Sequence, residues 1–338
     1  MQLSVEAATM VFRRPVTASW GTLTERELLR VRLEAGDGLV GLGEAAPLEP
    51  YDGVPLAAVR AALDAFAEIA NECAEEELLE ACAAERDLAP ALAAVDLALW
   101  DLAGKRAGRP VSQLISVEAA RSIPVNATIG AEDRAGAAAE AAAAAAADFD
   151  TVKVKVGVGD DAGRIAAVRA AVGPRVAIRV DANGAWEIDE AIAALRSLAP
   201  AGLELAEEPV HGVERLRAVR AEVDVPLAMD ETAAQEGAAG SGATDAVCLK
   251  IARCGGISGV LRDAADARAA GSAVYLASTY DGPLGIAAAV HAAAGLTAGG
   301  PLPAHGLATL AAFEDPGERL HAVRGAIRVP REPGLGVP

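Results

Sequence analysis

Five charged residues recur at a near-constant interval along the middle of this chain, and their types suit proton transfer beside a bound cation. Lys155 is followed by Asp181, Glu207, Asp230 and Lys250, at steps of 26, 26, 23 and 20 residues. Each closes a short aliphatic run: TVKVKVG, AIRVDANG, LELAEEP, PLAMDET and AVCLKIA. An ionised group at the end of an apolar run is expensive to bury without partners. Three converging carboxylates repel one another, and a divalent cation relieves the repulsion. With no His or Cys expected beside them, an oxygen-only ligand set of Asp181, Glu207 and Asp230 favours Mg²⁺ or Mn²⁺ over zinc. Lysines on either side of the acids then balance charge. Thirty residues are basic, but only Lys105, Lys153, Lys155 and Lys250 are lysine. Arginine stays protonated near neutral pH, whereas a partly buried lysine can act as a base. Three of the four lysines belong to this set. Lys153 and Lys155 are two apart, so a strand presents both on one face while Val152, Val154 and Val156 point away. Lys105 is expected near a helix C-terminus in a structural role.

For charges spaced this way to converge, successive strands must lie side by side with a helix between each pair. Strand candidates are Ile123–Ile129, Thr151–Val156, Val176–Asp181, Leu203–Glu207, Val225–Asp230, Ala246–Lys250, Ala273–Ser278 and a weaker Leu302–His305. Ala-rich helical stretches such as Arg134–Ala147 and Glu187–Leu198 separate them. That alternation is the rhythm of a parallel sheet. The glycines Gly157, Gly159 and Gly163 have the wrong spacing for a dinucleotide loop, and Asp160 and Asp161 would repel pyrophosphate. Eight strands without that fingerprint predict a closed α/β barrel, whose functional groups come from the carboxyl ends of different strands.

The region before the barrel reads as α+β. Leu3–Phe12, Glu27–Glu34 and Leu39–Glu44 suggest strands, with Gly36-Asp37-Gly38 as a turn. Leu56–Ala70, Glu75–Ala84 and Pro90–Ala107 suggest helices. Residues 1–112 are therefore expected to form an α+β capping domain with lid loops. Residues 113–310 are expected to form the barrel with the catalytic site, and 311–338 a C-terminal segment returning to the cap.

The bulk composition limits partners and compartment. Apolar residues make up 52% of 338, enough for a large core, and with aromatics at 3% that core must be mainly Ala, Val, Leu and Ile. A formal net charge of −18 repels nucleic acid and anionic membrane. Cys73, Cys82, Cys248 and Cys254 form no CxxC pair, which fits reduced thiols in a cytoplasm. No apolar stretch follows Arg13 and Arg14, so no signal peptide is expected. Ala141–Ala147 is too short to span a bilayer. A small carboxylate substrate fits a local positive centre, and a homo-oligomer is compatible with such barrels.

Further residues are candidates for touching substrate. Asn183 lies two residues past Asp181, and Ser278 and Thr279 end the seventh strand. His305 sits near the end of the eighth, and Trp20 and Tyr51 lie in the cap loops Arg14–Thr22 and Ala46–Val54.

As a set, TVKVKVG, RVDANGAW, AEEP, MDET and LKIARCGGIS resemble the muconate-lactonizing-enzyme subgroup of the enolase superfamily. ALWDLAGKRAGRPV is similar to its interdomain helix and GLGEAAPLEPYDG to its cap loop. The resemblance implies a (β/α)7β barrel with an α+β cap. It implies Asp181, Glu207 and Asp230 as metal ligands, with Glu208 at a less critical position. It implies Lys155 as a base on one face of the substrate and Lys250 on the other. Lys153 is the neighbour that, with the metal and partial desolvation, makes Lys155 a usable base. The implied chemistry is removal of the proton α to a carboxylate, giving an enediolate stabilised by Mg²⁺. The segment HGLATL resembles one seen in o-succinylbenzoate synthases, pointing to dehydration in menaquinone synthesis. N-succinylamino acid racemisation and muconate cycloisomerisation are alternatives. Dipeptide epimerisation is disfavoured, because the stretch PLPAHGLAT lacks the Asp-x-Asp that would hold an amino group. A non-catalytic binding barrel would predict damage among these positions, and none is seen.

Overall fold

The computed structural model describes residues 1–338 apart from 19, 20, 132, 158, 301, 302, 316, 318 and 338. Seven parallel strands lie in sequence order: Ala127–Ile129, Thr151–Lys155, Ala177–Asp181, Leu203–Glu207, Leu227–Met229, Ala246–Leu249 and Ala273–Leu276. Each is short and rich in Val, Leu and Ile, as expected for strands covered by helices. Val152, Val154 and Val156 pack outward against Ala137, Ala141, Ile165 and Val168 of the flanking helices. Leu205, Ala228, Ala246, Cys248, Tyr275 and Ala277 form a separate cluster inside the ring.

The ring is closed by very little chain. His305 bridges Val125 and Gly306 bridges Ala277, both in parallel sense. The Asn126 N–H donates to the His305 carbonyl at 2.9 Å, and the Gly306 N–H donates to that of Leu276 at 2.8 Å. A Cβ on Gly306 would lie 2.9 Å from that of Ala277, so only glycine fits this closure. Of the expected eighth strand Leu302–His305, His305 takes part in this closure and the next residue, Gly306, completes it; Leu302 lies outside the described residues.

The expected first strand, Ile123–Ile129, divides in two. Ser122–Pro124 pairs with Ala326–Arg328 of the C-terminal segment, and Ala127–Ile129 enters the barrel. Pro124 has no N–H, so it cannot continue a full ladder.

The N-terminal region forms an antiparallel sheet of Gln2–Ala18, Gly21–Glu34 and Val40–Ala45. Leu29, Val31 and Leu33 alternate onto one face and bury against Val59, Leu63 and Phe66 of helix Leu56–Glu72. Helix Ala89–Ala107 lies directly on the third strand. A Cβ on Gly41 or Gly43 would come within 2.1 Å of the Ala98 carbonyl oxygen or 1.9 Å of that of Ala94. Lys105 closes that helix, donating to the Val40 carbonyl at 2.8 Å and pairing with Asp101 at 2.6 Å.

The C-terminal segment touches both regions. The Glu314 N–H donates to the Val11 carbonyl, and the Leu335 N–H to Asp101 Oδ1. Phe313 stacks on Phe12 at 4.5 Å, and Tyr280 meets both rings edge-on. All four cysteines are free. Among the described residues no helix is long and apolar enough to cross a membrane.

Candidate active site

Strand register sets the site. Lys155 lies opposite Asp181 in the ladder, and Asp181 lies opposite Glu207, so the three stand at one height at the carboxyl ends of adjacent strands. Lys153 and Lys155 share the inner face, as their spacing requires. Lys153 Nζ stands between Asp181 Oδ2 and Glu207 Oε1, 2.8 Å from each. Lys155 Nζ donates to the same Asp181 oxygen and to Asn183 Oδ1, both at 2.6 Å. On the far side of the ring, Lys250 is paired with Asp230. Asp181 and Glu207 are fully buried and Asp230 is 5% exposed. A cavity of about 730 Å³ opens above them, lined by Lys153, Lys155, Asp181, Asn183, Asp230 and Lys250 among others.

The charges hold one another. Burial alone would lower the pKa of Lys153, but Asp181, Glu207 and Asp230 outweigh it and hold the ammonium well above its usual range. Lys250 behaves likewise, with Asp230 the main opposing charge. Burial would raise Asp181, yet Lys153 and Lys155 together hold it below the usual carboxylate range. Glu207 goes up, because burial dominates and the neighbouring acids add to it. Lys153 is thus held as an ammonium between two carboxylates, beside Lys155 on the same inner face.

Outer groups orient the acids. Tyr275, buried inside the barrel, donates its hydroxyl to Glu207 Oε2 at 2.6 Å, and the Arg179 guanidinium lies 5.0 Å from its ring centre. Glu208 is more than a bystander before the proline. Its carboxylate accepts the Asp230 N–H at 2.7 Å and the Thr232 N–H at 3.0 Å, fixing the turn that presents Asp230. His211 contacts the same carboxylate at 3.0 Å, which raises its pKa.

The cap supplies Tyr51. Its hydroxyl lies 3.4 Å from both oxygens of Asp230 and accepts from Lys250 Nζ at 3.0 Å. Arg253 lies over its ring at 5.1 Å. The loop carrying Tyr51 is stapled by the buried Arg26, which donates to the carbonyls of Ala46 and Pro47 in the cap and Thr279 in the barrel. Neither Arg26 nor Tyr275 was singled out from sequence. Tyr275 is a polar residue in an otherwise apolar strand, whereas Arg26 stands in a strand with other charged residues and carries no local signal.

Of the remaining candidates, Ser278, Thr279 and Asn183 line the cavity. His305 does not. It is fully buried in the closing stave, its Nδ1 accepts the Leu276 N–H at 3.0 Å, and burial lowers its pKa to about 3. Its ring is therefore a neutral wall group. Trp20 lies outside the described residues.

The donor set fits a hard divalent cation. Oxygens of Asp181 and Glu207 already straddle one ammonium at 2.8 Å each. Glu207 and Asp230 offer ligand atoms within 4.8 Å of each other and of Cys248. The nearby cysteine corrects the expectation of none. Burial, with Asp230 adding, pushes the Cys248 thiol well above its usual range, so the sulfur stays protonated and is a poor ligand for a hard ion.

Comparison with known proteins agrees with this geometry. Residues 2–116 match the mandelate racemase / muconate lactonizing enzyme N-terminal domain, and residues 136–338 the enolase C-terminal domain-like family. A hydrophobic dipeptide epimerase of Enterococcus faecalis V583 is 31% identical over 306 residues, covering 87% of this chain and 86% of that one. Muconate cycloisomerase 1 of Pseudomonas putida is 31% identical over 96% of this chain and 91% of its own length. An o-succinylbenzoate synthase of Thermobifida fusca is 36% identical over 196 residues, 56% of this chain and 60% of that one. The crystal structure of the Enterococcus faecalis V583 dipeptide epimerase, complexed with Mg and the dipeptide L-Leu-L-Tyr, superposes with a TM-score of 0.91 at 28% identity, covering 99% and 98% of the two chains. With both of its domains matched and its charged strand ends gathered at one barrel mouth, this chain belongs to the mandelate racemase / muconate lactonizing enzyme family of the enolase superfamily, in the muconate-lactonizing-enzyme subgroup, whose members are enzymes.

Proposed function

We propose that this enzyme removes the proton α to a substrate carboxylate, with Lys155 as base and Asp181, Glu207 and Asp230 as ligands of Mg²⁺. The observation that carries the reading is the placement of Lys155 and Lys250 on opposite walls of one cavity, with the buried acids between them. When bound, Mg²⁺ supplies a positive charge that stabilises the enediolate. Lys155 is the most open of the three site lysines, its side chain 37% exposed against 13% for Lys153 and 6% for Lys250. Its Nζ can therefore meet an α-proton from the strand-two side. Asn183 holds that ammonium in place, and Lys153 keeps Asp181 and Glu207 aligned. Lys250, braced by Tyr51, offers a cation or a proton from the opposite side.

For the overall reaction we propose dehydration to o-succinylbenzoate. Ala308 and Thr309 of HGLATL line the cavity, where a pair of acids would be needed to hold an amino group. N-succinylamino acid racemisation is the second reading. It is favoured by the two lysines on opposite walls, which can take and return one proton on different faces.

Incubation in D₂O with Mg²⁺ and a panel of carboxylates tests this. The panel holds the succinyl-cyclohexene carboxylate precursor, N-succinylamino acids, dipeptides and muconate. The expected result is water loss with a new aromatic absorbance from the precursor, or deuterium at Cα of an N-succinylamino acid. Excess EDTA should stop the reaction and added Mg²⁺ should restore it. Turnover that persists in EDTA removes the metal, and a panel with no turnover or exchange removes the reading.

A further inference from the structure

The cavity contains a polar group that the proposed chemistry leaves unused. Asn126 lies just before the first barrel strand, is 3% exposed, and lines the cavity. Its backbone N–H is bonded to His305, but its side-chain Nδ2 has no hydrogen-bond partner among the described residues. Leaving a buried amide N–H₂ without an acceptor is costly, so such groups in folded proteins normally meet one. No acid around the cavity accepts from Asn126 Nδ2 among the described residues; each is turned to other donors. Asp181 holds Lys153 and Lys155, Asp230 holds Lys250 and Tyr51, and Glu140 accepts the N–H groups of Gly130 and Ala131.

Register places Asn126 relative to the chemistry. Thr128 pairs with Lys153 in the ladder, and Asn126 lies two residues earlier, so it shares that inner face one layer deeper. Its surroundings belong to strands seven, eight and one, away from the acids on strands three to five. Small residues there leave room: Ala277, Gly306 and Ala308 line the same wall, and a Cβ on Gly306 would lie 3.7 Å from Asn126 Oδ1. Ser278 and Thr309 hydroxyls, 2.7 Å apart, complete a neutral polar rim. Among the described residues no arginine lines the cavity.

We propose that Asn126 donates to an oxygen acceptor on the part of the substrate remote from the reacting carboxylate. The substrate class is then a carboxylic acid bearing a second carbonyl or carboxylate oxygen, not one bearing an ammonium. This rests on the carboxylate reading of the site and adds its specificity residue.

Direct binding by calorimetry, with Mg²⁺ present, tests it through three probes. N-succinyl-L-phenylalanine carries an amide carbonyl and a distal carboxylate. N-butanoyl-L-phenylalanine keeps only the carbonyl. In 2-benzylpentanoate neither remains. Asn126→Leu, close in size but without a donor, should raise Kd about tenfold for at least one oxygen-bearing probe, the loss of one hydrogen bond. The Kd for 2-benzylpentanoate should not change, which also shows that the variant is folded. The probe affected tells carbonyl from carboxylate. Asn126→Ala provides the same comparison should the leucine variant not fold. Equal Kd values for wild type and variant across all three probes overturn the proposal, and are the result expected if the amide meets only solvent. Failure of wild type to bind any oxygen-bearing probe overturns it too. α-Proton exchange, followed in parallel, reports on the proposed reaction separately, since it can fail while the binding difference remains.

Discussion

Glu44 offers a quantitative test of how the cap is joined to the barrel. It sits on the third cap strand, 3% exposed, and its Oε1 accepts the N–H groups of Gly282 and Gly285 at 2.7 and 3.3 Å, at the start of helix Pro283–Leu296. Its Oε2 and Asp281 Oδ2 are both buried without hydrogen-bond partners among the described residues. Burial, with Asp281 adding, raises the Glu44 pKa from 4.5 to about 7, while the two glycine N–H groups and Arg30 oppose the rise. Burial lowers the pKa of the nearby Arg26, while the charges of Asp281, Asp52 and Glu44 oppose the fall. For an acid whose pKa rises on folding, the folded state keeps the proton longer, so stability falls as pH rises between the unfolded and folded values. From pH 5 to pH 8 the loss from Glu44 alone is about 2–3 kcal/mol, at about 1.4 kcal/mol per pKa unit. Glu44→Gln removes the ionisation and keeps an acceptor for the glycine N–H groups. Urea unfolding of wild type and variant at both pH values reads the effect. The variant should gain about 2–3 kcal/mol relative to wild type on going from pH 5 to pH 8. A stability difference independent of pH would refute the argument, because the buried carboxylate would then carry no ionisation penalty.

Two further outcomes are expected. Lys250→Ala should abolish racemisation while leaving α-proton exchange through Lys155, measured by NMR in D₂O; loss of exchange as well would make Lys250 essential to proton removal itself. Glu208→Gln should weaken Mn²⁺ binding 10- to 100-fold, followed by electron paramagnetic resonance, because the Asp230 and Thr232 N–H groups donate to different carboxylate oxygens and an amide keeps only one, leaving its N–H₂ against the other N–H. Unchanged affinity would show that Asp230 is positioned without it.

The residues of the central site were legible in one dimension because of strand periodicity. A parallel barrel repeats one strand and one helix per unit, so groups at successive strand ends recur at a step of 20–26 residues and meet at one height. The two-residue alternation of a strand likewise put Lys153 and Lys155 on one face and Val152, Val154 and Val156 on the other. What sequence alone did not decide depends on contacts between distant segments. The closing stave carries only a weak pattern because two residues, His305 and Gly306, complete the ring by bonding to strands far away in sequence. His305 reads as a functional histidine from its position, yet its environment makes it a buried neutral wall group. Arg26, Glu44, Tyr275 and Asn126 are single polar residues with no local pattern. Their roles come from partners 20 to 253 positions away, or, for the Asn126 amide, from the lack of one. Periodicity reports which way a side chain faces, but burial and hydrogen-bond partners are properties of the assembled fold, and only the tertiary structure could assign them.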